Sequence, residues 1–372
     1  MNARQRIDAV LALQKPDRVP VAPLLDHYAA TYSGYTNAEI MTQGDKRITA
    51  IIKTATELGP WDMTFLADTA NAVLLQMGVA AKIKIPGRDL PENAVHQFEE
   101  TEFLTPDDYS LLAHKGTVPF LMEVMGRLNP AWKGLRGFMP LVRTLLEYRK
   151  HVRMVRARGM EAAVGFIHPG VVYEYFSLGR GITAMSADTF KRKDDILAAG
   201  RVWAKGMADM AIMSARFTGV PRVFIGMSRA SPDFISRRNF EELVLPDLEY
   251  TVNRFVAADI TPVLHCDTNW TRFFELFLRF PARKCILELD GKSDIFKAKE
   301  MLGRHMCIMG DVPAELLVLG SKEEVMDYCR RLIEEVGKGG GFILSSGCSL
   351  PANAKKENVR ALYEAAQKWG RY

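Results

Sequence analysis

An α/β fold of the (β/α)8 barrel type is predicted by three observations. Short apolar runs recur along the 372 residues and alternate with segments of helical spacing. Each run is too short for a helix and rich in Val, Ile, Leu or Phe, as expected of strands buried on both faces in a parallel sheet. Counted from the N-terminus the runs number eight, and eight strand and helix units close into a barrel whose functional groups gather where the strands end.

The elements follow in order. Ile7, Val10, Leu11 and Leu13 give residues 2–13 helical spacing, and Lys15-Pro-Asp-Arg18 stops that helix. The first buried run is Val19–Leu25, leaving through Asp26 and His27. A helix over about 36–58 ends at Gly59-Pro60, and the second run, Asp62–Ala67, leaves through Asp68. The rhythm then breaks. Lys82–Ile85 and Val95–Phe98 alternate like hairpin strands around Pro86-Gly87 and precede helical segments up to about Arg158. Residues of about 70–160 are therefore read as an insertion after the second strand, lying over the barrel mouth.

The rhythm returns with Ala162–Ile167, Arg222–Gly226, Ile260–Leu264, Lys284–Leu289, Met306–Met309 and Gly341–Leu344. Helical segments over 194–217, 240–257, 270–280, 294–302 and 322–336 separate or follow them. Gly337-Lys-Gly-Gly-Gly341 lacks the Ser/Thr and the following helix of a phosphate-binding loop and reads as a helix-to-strand turn.

Composition excludes several classes. A chain 48% hydrophobic and 25% charged is neither disordered nor membrane-spanning, and no apolar run approaches the roughly 18 residues that a span requires. The opening Met-Asn-Ala-Arg-Gln-Arg is polar, without a signal-peptide core, so a cytoplasmic location is expected. Five scattered cysteines without a CxxC pair point to reduced thiols. The net charge of +5 is mild. Its densest cluster, Arg149, Lys150, His151, Arg153, Arg156 and Arg158, follows a helical segment and reads as a solvated helix end, with an acidic docking partner as the alternative. No nucleic-acid or membrane partner is expected, and a homodimer is the candidate assembly.

The strand exits carry the chemistry: Asp26 and His27, Asp68, His168, Met227 with Arg229, His265 with Asp267, Glu288 with Asp290, Asp311, and Ser346 with Cys348. Any one exit residue is more commonly structural, but a barrel focuses all eight exits on one mouth. Alternation along Ile260–Asp267 separates Cys266 from His265 and Asp267. If His265 faces the lumen, Asp267 joins it, Cys266 packs against helices, and Cys348 approaches from the last exit. His, carboxylate and thiolate with an open fourth position describe a catalytic zinc site; a metal-free hydrogen-bonding pair beside a buried thiol is the other reading. Arg229 can grip a substrate carboxylate or pin the next helix. His168, before Pro169-Gly170, is a mouth acid or a turn residue.

The segments Arg4-Gln-Arg-Ile-Asp-Ala-Val-Leu11, Pro16-Asp-Arg-Val-Pro20, His265-Cys-Asp-Thr-Asn-Trp270, Met309-Gly-Asp-Val-Pro313, Gly347-Cys-Ser-Leu-Pro-Ala-Asn353 and Glu357-Asn-Val-Arg360 resemble the uroporphyrinogen decarboxylase superfamily over nearly the whole chain. True decarboxylases of that superfamily carry an Arg-rich signature after the first strand to grip porphyrinogen carboxylates. Here Leu24-Leu-Asp-His-Tyr-Ala-Ala-Thr-Tyr-Ser33 has no Arg, which makes such decarboxylation the runner-up. The chain is more similar to the corrinoid-dependent methyltransferases, which move a methyl group to or from the cobalt of a separate corrinoid protein. In the thiol-activating members a His-x-Cys pair and a distant Gly-Cys bind zinc. His265 and Cys348 match, and Asp267 stands where the second Cys would be.

A carboxylate makes a harder zinc, better suited to an oxygen ligand than to a thiolate. The resemblance therefore implies an aryl methyl ether O-demethylase, with the cobalamin on a partner corrinoid protein and zinc on His265, Asp267 and Cys348; other N-methyl or S-methyl donors, or a thiol acceptor, are the alternatives within the branch. His265 and Asp267 are first choice for polarising or protonating the ether oxygen. Asp68, Glu288 and Asp311 are further catalytic candidates. Asp26, His27, His168, Arg229 and Asp290 are candidates for holding the donor, Arg229 through a ring carboxylate.

Overall fold

The computed structural model describes residues 1–66, 70–134 and 138–372. Among the described residues ten strands are formed: β1 (Met63–Thr64), β2 (Lys82–Lys84), β3 (Gln97–Glu99), β4 (Glu161–Ala162), β5 (Phe166–His168), β6 (Arg222–Met227), β7 (Thr261–Cys266), β8 (Ile286–Leu289), β9 (Cys307–Val312) and β10 (Phe342–Ser346). Strands β5 to β10 make one parallel sheet in sequential order, and β1 pairs in parallel with β4. Backbone bonds close the ring. The amide of Gly165, between β4 and β5, donates to Arg222 O; residues 19–25 bridge to β10 through Val21 and Leu344; and the amide of Asp62 donates to Val21 O. Counting β4 and β5 as one stave and 19–25 as another gives the eight-stave barrel.

Strand alternation divides the apolar residues into two layers. Ala22, Leu24, Phe224, Val263, Ile286, Met309 and Ile343 fill the lumen together with Ile7 and Val10, so the first helix, Ala3–Leu11, plugs one end. Leu264, Cys266, Leu287, Leu289, Ile308 and Leu344 face the helices. All five cysteines are free thiols, as their scatter predicts. Among the described residues no helix is long and apolar enough to cross a membrane.

Two predicted helices split for local reasons. Residues 36–58 form Asn37–Thr42 and Gly44–Glu57, broken at extended Gln43; a side chain at Gly44 would meet Glu147 Oε2 at 2.6 Å. Residues 240–257 lie in Arg237–Leu243 and Leu245–Ala257, and Pro246, which has no N–H to donate, sits in the first turn of the second.

The plugged end is stitched by one carboxylate. Asp62 is 1% exposed and accepts from Arg6 Nη1 at 3.0 Å, Arg18 Nη1 at 2.7 Å and Nη2 at 3.0 Å, and the Val21 amide at 2.9 Å. It thereby ties the first helix to two adjacent staves. Removing one partner of a buried ion pair strands the others, so Asp62→Ala should lower the unfolding free energy by about 3–5 kcal/mol, measured by urea titration.

The segment after β1 provides the hairpin β2–β3, antiparallel with Lys82 opposite Glu99, and helices Asp107–Lys115 and Thr117–Leu128. The hairpin reaches strand exits: His96 Nδ1 lies 3.0 Å from His27 Nε2, and Glu100 meets Arg229. Helix Phe138–Arg156 instead packs on Gly44–Glu57 and Lys193–Thr218, in the ring of helices around the barrel.

Candidate active site

Strand β7 sets the site. Val263 faces the lumen and Leu264 and Cys266 face the helices, so His265 faces the lumen, where its ring stacks on Phe224 at 4.8 Å between centroids. The register puts His265 beside Glu288 of β8. Asp267 follows as the strand ends, and Cys348 comes from the turn after β10. That turn needs Gly347, because a Cβ there would meet Asp290 O at 2.3 Å.

The three donors converge. His265 Nε2 lies 3.2 Å from Asp267 Oδ1 and 3.7 Å from Cys348 Sγ, and the three ligand atoms lie within 4.8 Å of one another. Asp267 Oδ2 accepts from Ser228 Oγ at 2.8 Å. Behind the imidazole, Glu288 Oε2 is 3.0 Å from Nδ1. The approach is off the line of the ring N–H, so neither Nδ1 nor the wholly buried carboxylate completes a hydrogen bond among the described residues. The contact is therefore one of charge.

Electrostatics bind the group together. Burial opposes charge on His265, but Asp267 and Glu288 outweigh it and drive the imidazole well above its ordinary range. Burial likewise opposes charge on Asp267, and His265 holds the carboxyl below its usual range. Burial pushes the Cys348 thiol up, against His265.

Two of the three donor edges match those of a tetrahedral zinc site. With bonds of roughly 2.0–2.3 Å in a tetrahedron, N–O and N–S edges measure about 3.3 and 3.6 Å, against 3.2 and 3.7 Å here. A carboxylate facing the far nitrogen of a histidine ligand is the usual outer partner, and Glu288 takes that place through charge. The Asp267 side chain, 30% exposed against 5% for His265, marks the side from which the site opens. A cleft of about 390 Å³ between residues 36–43 and the segment after β1, and one of about 310 Å³ within that segment, share no residue with this cluster.

The other predicted residues are distributed differently. Asp290 sits at the same mouth, its oxygens accepting the Thr268 amide at 2.7 Å and the Lys292 amide at 2.8 Å, so it ties two loops. Asp26 and His27 follow Leu24, which bridges Ser349 beside Cys348, and His27 engages His96 of the hairpin. Arg229 donates to Ser177 O at 2.9 Å and Glu100 at 3.2 Å, so it pins the neighbouring helix. His168 is corrected from its expected place at the mouth. Ile167 faces the lumen, so His168 faces the helices, edge-on to Phe255; neither ring nitrogen finds a hydrogen-bond partner among the described residues, and complete burial drives the imidazole down to about 3. Asp68 lies outside the described residues.

Asp311 accepts from Tyr328 of the outer helix Lys322–Arg331 at 2.8 Å. Burial pushes its carboxyl up from 3.8 to about 7. Between those values the folded chain holds a proton that the unfolded chain has lost, so this group lowers stability as pH rises through the window and adds nothing further above it. Asp311→Asn, which keeps an acceptor for Tyr328, should gain stability over the parent progressively from about pH 4 to 7 and hold a constant gap beyond. Urea titrations across that range measure it.

Sequence reasoning missed Ser228, Phe224, His96 and Glu174. Ser228 stands at a strand exit and Glu174 is a lone carboxylate within apolar Val171–Phe176, so both left a readable signal. His96 left none, since only the fold brings the hairpin to His27.

The uroporphyrinogen decarboxylase (URO-D) family model matches residues 178–369, more than half of the chain. No curated protein matches its sequence. Among solved structures, a methyltransferase from Methanosarcina mazei shares the fold, with 16% sequence identity, a TM-score of 0.73 and coverage of 99% of each chain. The matched segment spans β6 to β10 and carries His265, Asp267, Glu288 and Cys348, and by that match the chain belongs to the uroporphyrinogen decarboxylase family.

Proposed function

We propose that the chain is a corrinoid-dependent methyltransferase that takes the methyl group of an aryl methyl ether and passes it to the cob(I)alamin of a separate carrier protein. The observation that carries this reading is the convergence of His265, Asp267 and Cys348 at the open end of the barrel. The fold shared with a methyltransferase supports it, as does the absence of Arg from 24–33, where a porphyrinogen would need counter-charges.

The reaction is a displacement at carbon. The methyl C–O bond breaks with its electron pair going to oxygen, and the methyl group is received by the reduced corrinoid, which enters as the second substrate. Phenoxide is a poor leaving group, so the ether oxygen must be polarised. His265, Asp267 and Cys348 would hold a zinc ion, which would supply a Lewis acid for that oxygen. Glu288 faces His265 Nδ1 as a charge, Ser228 holds Asp267, and Phe224 packs on the imidazole, so the donors are set before substrate arrives. Asp26 and His27 follow Leu24, which bridges Ser349, and are the candidates to flank the aromatic ring; the phenoxide takes its proton from a carboxyl at the mouth or from water. Arg229, which donates to Ser177 O and to exposed Glu100, is the residue that would meet a ring carboxylate on the donor.

The test is a screen of methoxyarenes and of N-methyl and S-methyl compounds with cob(I)alamin and its carrier, following methylcobalamin by absorbance. Methylation from a methoxyarene is expected. Methylation only from an N-methyl or S-methyl donor would sink the ether reading and leave the branch standing, whereas carbon dioxide release from uroporphyrinogen without a partner would sink both.

A further inference from the structure

We infer that Glu174 is the positioning residue for Asp267, acting through the turn at Met227–Ala230 and the Ser228 hydroxyl. This rests on the reading of His265, Asp267 and Cys348 as metal ligands.

Glu174 lies in the helix Val172–Arg180 and is 3% exposed. A buried carboxylate is costly unless its oxygens are satisfied, and among the described residues none of the ion pairs includes it. Backbone amides satisfy it instead. Both oxygens accept the Arg229 amide at 2.9 Å, and Oε2 also accepts the Ala230 amide at 3.0 Å. The helix can come this close because residue 170 is Gly: a Cβ there would meet Glu174 Cβ at 2.6 Å and Gly226 O at 2.5 Å. The turn is thus drawn onto Glu174 directly after β6.

The same turn holds Asp267 twice. The Asp267 amide donates to Met227 O at 3.2 Å, and Ser228 Oγ donates to Asp267 Oδ2 at 2.8 Å. With Oδ2 engaged, Oδ1 is the oxygen left toward His265 Nε2. Glu174 therefore fixes the turn, the turn fixes Ser228, and Ser228 fixes which carboxylate oxygen faces the other two donors. A ligand carboxylate with its second oxygen held is a preorganised ligand, and loss of such an outer partner typically weakens metal binding about 10–100-fold.

The test compares the parent protein with Glu174→Gln, Ser228→Ala and the double variant. Zinc affinity is measured by chelator competition and the ligand field by the visible spectrum after cobalt(II) loading. Each single variant should weaken zinc by about tenfold or more and change the cobalt(II) bands. The double variant should be no weaker than the worse single one, because both changes act along one path. A Glu174→Gln protein that melts earlier but binds zinc as the parent does would overturn the inference, as would a double variant whose losses add. Should Glu174→Gln fail to fold, Ser228→Ala decides alone: unchanged zinc affinity overturns the inference. A parent protein that takes up neither zinc nor cobalt overturns the metal-site reading itself, a result distinct from a parent that binds zinc and variants that bind it equally well.

Discussion

His265→Ala should empty the metal site, cut methyl transfer by more than about 100-fold, and destabilise the fold. The first two losses follow from its place among the donors, since deleting a ligand costs more than the 10–100-fold of deleting an outer partner. The third follows from Glu288, which is wholly buried and has the imidazole 3.0 Å away as its neighbouring charge. Removing one member of a buried charge pair costs about 3–5 kcal/mol, much of it the cost of the charge left behind. Adding Glu288→Gln to His265→Ala should therefore restore part of the stability and none of the metal. Unfolding titrations and zinc analysis of the single and double variants separate the two effects; a double variant no more stable than the single one contradicts the charge argument.

Asp267→Cys should separate metal binding from ether cleavage. The variant carries His, Cys and Cys at the three positions, a set that zinc accepts, so it should purify with zinc. A thiolate in place of the carboxylate softens the ion and makes it a poorer partner for oxygen. It also leaves Ser228 Oγ without its carboxylate acceptor. Methyl transfer from an ether should fall by about 100-fold, the scale of losing one stabilising contact to a developing oxyanion, while affinity for thiols rises. Zinc content, turnover and a thiol-binding titration on one preparation check this. Unaltered ether turnover would show that the hardness of the ligand set is not what suits the site to oxygen.

The barrel was legible because its strands are apolar runs spaced by helical segments, and the hydrogen bonds through Gly165, Val21 and Asp62 close the ring that the pattern implied. The pairing of His265 with Asp267, and the exclusion of Cys266, followed from alternation. The phase of that alternation did not. A strand buried on both faces is apolar on both, so Phe166-Ile-His168 gave no sign that Ile167, and not His168, points inward. For the same reason nothing in Cys307–Val312 announced that Asp311 would be claimed by Tyr328 of an outer helix. The partners of Arg229, Ser177 and Glu100, lie 52 and 129 residues away in sequence. Such contacts are products of the fold and leave no local trace.

The measurement that bears most directly on the central claim is methylation of cob(I)alamin on its carrier from a methoxyarene, followed by absorbance with one preparation before zinc removal, after chelation, and after zinc is restored. Methylation should disappear with the metal, return with it, and fail to return in His265→Ala. Turnover that persists undiminished in the metal-free protein would contradict it.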